Sequence, residues 1–524
     1  MTQDLGYKWL SATYEIEPVH RFRVTSQVGT SRKTVTTDGF TVEIYTTQSI
    51  PHASLAGHLA FALKHEGCHL EFLARLFDRL DPHVLEQWIG AEPTGAYARR
   101  AGFFYEWLTG RSLCATDVVG GNYIDAIDAD ACFTATVSTN NQRWRVRDNL
   151  PGTRNYCPTV ARLAKVRDAE EYDCAAALAK LEREYGNDIL MRSAVWLTIK
   201  ESRSSFAIEH EEKQLDRIKR FAAVMDERCG AEPNPLEADA LRVLQSAILG
   251  PVATRYGVRR SPVLVGHTAA YTQVVDYIGP HWDQIDNLLE GLQEFESRTS
   301  GRSAIVRAAV ISFGFVYIHP MADGNGRISR FLVNDVLRRD KAVPPPYILP
   351  ISATITHSPR SRIGYDRVLE QFSQPLMRRY AHNYRFGPDR LEADGIRTNF
   401  EFDEYDDAIF AWRFPDMTAH VEYLLDIISV TISAEMQEQA AYLRNHLAAR
   451  VAVKDLIEGP DPDIDRIIRS INENNWHVSN RLRTEFPLLQ SVAGLEENLI
   501  TAVREAFSPS SNNDTVFTAM PPPV

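Results

Sequence analysis

Hydrophobic and polar residues alternate over one clear stretch near the N-terminus, at 20–47. Around Asp38-Gly39, a pair typical of a tight hairpin turn, polar neighbours alternate with the apolar residues Phe22, Val24, Val35, Val42 and Ile44. This pattern predicts β-strands. From about Ser54 onward the spacing becomes helical, beginning with Leu55, Leu59, Leu63, Leu70, Leu73 and Phe77. Similar spacing through most of the chain predicts a mainly α-helical protein.

Turn-rich segments divide this pattern into regions. The breaks fall at 149–158, 232–235, 344–346 and 387–388. They predict an N-terminal α+β region at 1–160, a central helical core at 161–390, a C-terminal helical domain at 391–507 and a disordered tail at 508–524.

The composition is that of a soluble globular protein, with 44% hydrophobic and 24% charged residues. No apolar run approaches the ~20 residues that a membrane span needs, and the N-terminus lacks the pattern of a signal peptide. We therefore expect a cytoplasmic protein without a membrane partner. The six cysteines are scattered and form no CxxC pair, which favours reduced thiols.

The net charge of −12 argues against a chain that binds nucleic acid non-specifically over its whole surface. The same charge repels phosphate groups. Any nucleotide site must therefore provide its own local positive potential.

The candidate chemistry lies where one helix ends and the next begins. An apolar helix is predicted at 305–318, and Pro320 disfavours a helical conformation at His319. A second helix is predicted from about Gly326, on the spacing of Ile328, Phe331, Leu332 and Val336. The intervening loop leads into a helix N-terminus, where backbone N–H groups attract anions, and Gly324 and Gly326 let phosphate approach closely.

Charged side chains extend this site. Arg327 and Arg330 lie in the first turn of the second helix, where they suit further phosphates. Asp323 suits Mg2+ shared with those phosphates, and His319 suits a general base. The same residues are compatible with a solvated turn between two packed helices, in which His319 has no chemical role.

The stretch 319–330, His-Pro-Met-Ala-Asp-Gly-Asn-Gly-Arg-Ile-Ser-Arg, resembles the Fic-family signature HPFx(D/E)GNGRxxR. It departs from the signature at Met321, which replaces phenylalanine and is expected to pack inward. The resemblance implies a helical core over about 190–380. It also implies His319 as base, Asp323 on Mg2+, an anion hole shaped by Gly324, Asn325 and Gly326, and Arg327 and Arg330 on the phosphates of ATP.

The family's chemistry implies transfer of AMP from ATP to a Ser, Thr or Tyr hydroxyl of a protein substrate. Phosphoryl transfer, transfer of another nucleotide and removal of AMP are known in the same family and stay open as alternatives. The segment from Ser261 to Gly266, with polar residues up to Pro280, resembles the hairpin flap that aligns the target by backbone pairing. A plain surface loop is the alternative there. The oligomeric state is open, with a homodimer among the options.

A second resemblance concerns regulation. The residues from Ser205 to His210 resemble the Fic inhibitory motif (S/T)xxxE(G/N), with His210 in place of the last residue. This implies an inhibitory helix near 197–210, whose Glu209 pairs with Arg330 and keeps it from the γ-phosphate. An ordinary solvated helix is the alternative. A rival match at 62–67 lacks the serine or threonine.

Two further patterns indicate other functions. His65, Glu66 and His69 form an HExxH pattern, which in a metalloprotease binds zinc, but Gly67 weakens the helix and no third ligand is evident. The run 467–488 resembles a helix-turn-helix, so the C-terminal region is a candidate for DNA binding. Its arginines are offset by nearby glutamates, which favours a structural role; the residues concerned are Arg469, Arg481, Arg483, Glu473 and Glu485.

Overall fold

The computed structural model describes residues 3–211, 215–251, 253, 255–269 and 272–508. The chain is mainly α-helical with small sheets, as predicted. It divides into two compact units. One consists of Met1–Tyr172, Ala223–Ala342 and His357–Asp426, and the other of Asp173–Ala222, Val343–Thr356 and Ile427–Val524. The predicted domain boundaries stay predictions, and the predicted tail lies outside the described residues beyond Ser508.

The N-terminal third mixes short strands with helices. Its elements are β1 (Asp4–Leu5), α1 (Gly6–Tyr14), β2 (Val24–Val28), β3 (Lys33–Thr37), β4 (Phe40–Tyr45), α2 (Leu55–His65), α3 (Leu70–Arg79), α4 (Pro82–Ala91), α5 (Ala96–Thr109), β5 (Ile124–Asp125), β6 (Thr139–Asn141), β7 (Val146–Asp148) and α6 (Ala164–Glu171).

The middle of the chain is helical apart from one hairpin. Its elements are α7 (Cys174–Tyr185), α8 (Asn187–Ile208), α9 (Leu215–Arg228), α10 (Ala238–Leu249), β8 (Leu264–Ala269), β9 (Thr272–Ile278), α11 (Ile285–Arg298), α12 (Ala304–Ile318), α13 (Asn325–Arg339), α14 (Ile351–Thr356) and α15 (Pro359–Tyr380).

The C-terminal part begins with a second hairpin and ends in helices. Its elements are β10 (Tyr384–Leu391), β11 (Arg397–Phe402), α16 (Tyr405–Arg413), α17 (Thr418–Val430), α18 (Gln437–Lys454), α19 (Asp461–Glu473), α20 (Asn480–Glu485), α21 (Leu488–Ser491) and α22 (Leu495–Phe507), with a π-helical turn at Thr431–Met436. Among the described helices, none combines the length and the apolarity that crossing a bilayer requires.

The predicted N-terminal hairpin is confirmed. Strands β3 and β4 pair antiparallel, and Thr37 lies opposite Phe40 across the Asp38-Gly39 turn. Both turn residues have positive φ, at 50° and 76°, which matches the right-handed twist of the flanking strands. In the described part of the chain this sheet has the order β1-β2-β4-β3.

The HExxH residues form hydrogen bonds within the N-terminal fold. The predicted continuous helix is wrong here: α2 ends at His65 and α3 begins at Leu70, because the chain turns at Gly67 with φ of 84°. The two histidines therefore do not lie one turn apart on one helix. Glu66 accepts the Tyr7 N–H at 2.7 Å, and His69 Nδ1 accepts the Phe72 N–H at 3.1 Å as the N-cap of α3.

A second hairpin was not predicted. Strands β10 and β11 pair antiparallel within a region that was expected to be a helical continuation. The predicted break at Gly387 instead lies inside β10, at a shift of register between Phe386 and Arg390. Alternating apolar residues on both sides of Asp394-Gly395 are the signal that identifies such a hairpin.

The part of the first unit that carries the 319–324 loop is built around α12. This helix is apolar on nearly all sides and is almost completely buried, which is typical of a central helix. It packs against α6, α11 and α13. The helix begins at Ser303, whose side chain caps the Val306 N–H, and its far end leads directly into the 319–324 loop.

The candidate inhibitory helix α8 belongs to the second unit. Its buried Glu201 accepts hydrogen bonds from the backbone N–H and the hydroxyl of Ser352, at 2.7 and 2.5 Å, in the first turn of α14. Lys200 binds Glu435 at 2.7 Å. Both contacts lie within the second unit, so α8 is firmly anchored there.

The C-terminal helices form a separate apolar cluster in the second unit, with α18, α19 and α22 around Ile468 and Leu499. Arg483 binds Glu496 at 2.6 Å, and Arg466 binds Glu485 at 3.2 Å. These internal ion pairs are consistent with a structural role. DNA binding by this region stays a prediction.

Glu66 gives a pH-dependent test of the N-terminal fold. Burial raises the pKa of this carboxyl to about 7, so the folded protein favours its protonated form. The resulting stabilisation is complete below about pH 4.5 and is lost as the pH rises through 7. We expect the thermal midpoint of the wild type to fall over this range relative to Glu66→Gln, by the equivalent of up to about 3 kcal/mol. Parallel pH profiles of the two proteins contradict this assignment.

Candidate active site

The loop between α12 and α13 begins with an unusual backbone conformation. His319 has φ of 49°, in the left-handed region, and its N–H still donates to Phe315 O at 2.9 Å. It therefore forms the C-cap of α12, and the following proline prevents the helix from continuing. The predicted end of this helix is confirmed.

A hydrogen bond orients the ring of His319. Its Nδ1 lies 3.1 Å from Val316 O. Because a carbonyl oxygen only accepts, Nδ1 carries the proton and the lone pair is on Nε2. The residue is half-buried.

Asn325 closes the loop upon itself. Its Oδ1 accepts the Met321 N–H at 2.9 Å, and its Nδ2 donates to Met321 O at 2.7 Å. Asn325 is 3% exposed and Met321 is completely buried. The inward packing predicted for Met321 is confirmed, and the Asn325 side chain acts within the loop by holding its shape.

The N-terminus of α13 provides the positive potential that the net charge of the chain makes necessary. Gly324 precedes it with φ of 89° and, as a glycine, has no side chain with which to cap this end. The first backbone N–H groups of α13 form the positive end of the helix dipole, which attracts anions. Arg327 and Arg330, each 3% exposed, add two guanidinium groups within the first turn and a half.

Asp323 is the carboxylate beside these cations. Its side chain is 64% exposed, and its Oδ1 lies 3.0 Å from Arg327 Nη2. Among the residues that the structure describes, no group of three or more His, Cys, Asp or Glu side chains is placed to hold a metal ion. Mg2+ commonly uses one or two carboxylates and completes its shell with phosphate oxygens and water. One accessible carboxylate beside a phosphate site fits that mode of binding.

Two further residues position the loop and were not predicted from the sequence. Gln245, on α10, is completely buried and donates to Asp323 O at 2.8 Å. Arg259 donates from Nε to His319 O at 2.7 Å. Their partners are 78 and 60 residues away in sequence, and neither residue belongs to a local motif that would have identified it.

The predicted flap forms a hairpin. Strands β8 and β9 pair antiparallel, with Leu264 opposite Ile278. Val265 and Val274 are 44% and 36% exposed. The segment before this hairpin contacts the 319–324 loop, because Val258 forms an antiparallel bridge with Met321.

The inhibitory motif has a distinctive helix end. Ser205 is completely buried on α8, Glu209 is the C-cap, and His210 has φ of 60°. Glycine and asparagine tolerate this left-handed conformation best, which explains why they are usual at this position of the motif. Glu209 lies in the second unit and Arg330 in the first, and their pairing stays a prediction.

Comparisons with known proteins agree with this site. Residues 235–337 match the sequence model of the Fic/DOC family, and this range contains the whole 319–330 loop. This segment of the chain is therefore similar to the Fic/DOC family. Ser205 and Glu209 lie outside the matched range.

The chain is similar to two curated relatives. Protein adenylyltransferase fic-1 of Caenorhabditis briggsae is 28% identical over 145 residues, and that of Caenorhabditis elegans is 27% identical over 145 residues. Each alignment covers 27% of this chain and 22% of the relative, so the chain spans less than a quarter of the relatives' length. A Fic-family protein structure from Desulfovibrio desulfuricans G20 has 16% identity and a TM-score of 0.38, covering 63% of this chain and 96% of that one.

The Asn325 contacts predict a local loss of order when they are removed. Asn325→Ala leaves the buried N–H and C=O of Met321 without their partner, at a cost of about 1–3 kcal/mol. Hydrogen exchange at the Met321 amide should accelerate by roughly 5- to 150-fold. Asn325→Asp keeps the acceptor for this N–H and loses only the donor to Met321 O, so it should accelerate exchange less than Asn325→Ala does. Wild-type exchange in Asn325→Ala would refute the role of this side chain.

Proposed function

We propose that this chain is a Fic-family protein adenylyltransferase, which transfers AMP from ATP to a Ser, Thr or Tyr hydroxyl of a protein. The observation that carries the proposal is that His319, whose Nδ1 donates to Val316 O, directly precedes the loop that leads into the N-terminus of α13 and its buried arginines. A base next to a polyphosphate site is the arrangement that activates a hydroxyl for attack on phosphorus.

The triphosphate would bind at the N-terminus of α13, where backbone N–H groups and the guanidinium groups of Arg327 and Arg330 balance its charge. Asp323 would hold Mg2+, which when bound neutralises the charge of the phosphate oxygens. The bulk charge of the protein opposes nucleotide binding, so this local cluster has to provide the attraction.

In the proposed reaction, the acceptor hydroxyl attacks the α-phosphorus of ATP. A new bond forms between the hydroxyl oxygen and phosphorus, and the bond between the α-phosphorus and the bridging oxygen breaks, so that pyrophosphate leaves. The hydroxyl proton moves to Nε2 of His319. The Nδ1–H bond to Val316 O keeps the ring oriented while it becomes cationic.

Two other observations support this choice among the reactions of the family. The relatives that match the domain carry the name protein adenylyltransferase, although this chain covers only 22% of their length. The segment that precedes the β8–β9 hairpin forms a bridge to the 319–324 loop through Val258 and Met321, and the hairpin offers strand edges on which an extended protein segment can pair. A protein acceptor fits such a surface better than a small molecule does.

Intact-mass measurement after incubation with ATP and Mg2+ tests the proposed reaction. We expect an adduct of AMP mass on the chain or on added protein, and its loss in His319→Ala, because the base removes the acceptor proton. His382→Ala, an exposed histidine on the same unit, is the matched control and should keep the wild-type adduct. An adduct of phosphate mass would instead support phosphoryl transfer, and the absence of any adduct in both the wild type and Glu209→Gly would overturn the proposal.

We also propose that Glu209 restrains this activity. Support comes from the motif at 205–210 and from the left-handed residue that directly follows Glu209, where the family motif has glycine or asparagine. The contacts of Glu201 and Lys200 hold α8 in place within the second unit, and Glu209 lies at the end of this helix.

Substitution of Glu209 should release the restraint. Loss of a charge-assisted contact of about 1.5–3 kcal/mol raises the transfer rate by roughly tenfold or more. We expect this increase in Glu209→Gly, measured as the initial rate of adduct formation. Glu211→Gly is the matched control, because Glu211 lies two residues away and pairs with Arg217 at 3.5 Å. Equal rates in Glu209→Gly and the wild type would show that the motif has no inhibitory role.

A further inference from the structure

Arg259 is a buried arginine between the catalytic loop and the flap. Its side chain is 2% exposed, and burial lowers its pKa to about 10, which leaves it cationic at neutral pH. A buried cation is normally balanced by a carboxylate. Among the described residues, however, all the hydrogen bonds of the Arg259 guanidinium go to backbone carbonyls.

The three carbonyls come from three functionally distinct points of the chain. Nε donates to His319 O at 2.7 Å, Nη1 to Ser261 O at 2.7 Å and Nη2 to Pro280 O at 2.8 Å. His319 is the proposed base, whereas Ser261 and Pro280 flank the β8–β9 hairpin at its two ends. One guanidinium therefore contacts the backbone of the base and both ends of the flap.

The backbone around Arg259 strengthens this connection. Its N–H donates to Pro320 O at 2.9 Å, next to the bridge between Val258 and Met321. The Gly257 N–H donates to Gln245 at 2.7 Å, and the same Gln245 side chain holds Asp323 O. The segment 257–259 thus lies along the catalytic loop and holds it at several points.

Gly279 provides the space that the Arg259 side chain needs. A Cβ atom at this position would lie 2.5 Å from Val263 Cγ1 and 3.1 Å from Arg259 Nη2. The Gly279 N–H donates to Val263 O at 3.1 Å, and this bond joins the two ends of the flap. A side chain at Gly279 would therefore disturb the Arg259 contacts without removing the arginine.

We propose that Arg259 is a positioning residue that sets the register between an acceptor segment paired with the flap and Nε2 of His319. This inference rests on the proposed transfer to a protein hydroxyl. An acceptor strand that pairs with the flap moves with it, so fixing both flap ends to His319 fixes the distance from the acceptor hydroxyl to the base. A misplacement of about 1 Å is sufficient to lower the rate roughly 100-fold.

Hydrogen exchange tests the physical connection without requiring activity. We expect Arg259→Lys to accelerate exchange in both the flap, 264–278, and the loop, 319–323, because a single ammonium cannot replace three directed donors. Gly279→Ala should do the same and keeps the test valid if Arg259→Lys does not fold. Arg307→Lys is the matched control, because Arg307 is also 2% exposed but pairs with Asp340 at 2.6 Å.

Mapping of self-modified hydroxyls then separates positioning from a general structural role. With ATP and Mg2+, Arg259→Lys should transfer AMP at least roughly tenfold more slowly and onto a different set of hydroxyls, while its ATP dissociation constant stays within about twofold of the wild type. If Arg259 had only a structural role, AMP transfer to every hydroxyl would fall by the same factor, as we expect for Arg307→Lys.

Three results are decisive. Unchanged exchange in either segment of Arg259→Lys and Gly279→Ala overturns the inference, as does slower transfer onto an unchanged set of hydroxyls. Coupled exchange with no adduct on either the wild-type protein or Glu209→Gly would overturn the proposed function and still support the connection between flap and loop.

Discussion

The left-handed conformation of His319 is the constraint on which the site depends. It ends α12, turns the chain toward the N-terminus of α13 and places the His319 carbonyl at Arg259. It also brings Nδ1 within reach of Val316 O, so the lone pair of the ring is on Nε2. A non-glycine residue in this conformation is strained by roughly 1–2 kcal/mol, and the surrounding hydrogen bonds hold it in place. Strain of this kind is common where function requires one backbone arrangement.

The positive charge of the site opposes the negative net charge of the chain. A chain with a net charge of −12 repels a triphosphate at long range, and screening leaves only nearby charges effective. The positive end of α13, together with Arg327 and Arg330, concentrates positive potential within one turn of helix. Burial of both guanidiniums makes that potential strong, because neighbouring protein atoms screen it less than water would.

The parts of the fold that depend on local sequence could be predicted, and those that depend on distant contacts could not. Pro320 and the apolar spacing around it define both helix ends at the loop, and Asp38-Gly39 defines its hairpin. In contrast, the turn at Gly67 divides an apparently continuous helical pattern. Next to this turn, the Glu66 carboxyl accepts a hydrogen bond from the distant Tyr7 N–H. Arg259 and Gln245 could not be predicted for a similar reason. Their partners are backbone carbonyl groups far along the chain, and every residue has a backbone carbonyl, so the sequence does not show which one is bound.

The central claim is that α13 binds a triphosphate within reach of the accepting nitrogen of His319. A crystal structure with a non-hydrolysable ATP analogue and Mg2+ tests it most directly. We expect phosphate oxygens to accept hydrogen bonds from the first N–H groups of α13 and from the guanidiniums of Arg327 and Arg330. We expect Nε2 of His319 to face the α-phosphorus. Nucleotide bound elsewhere, or Nδ1 of His319 turned toward the phosphate in place of Nε2, would contradict it.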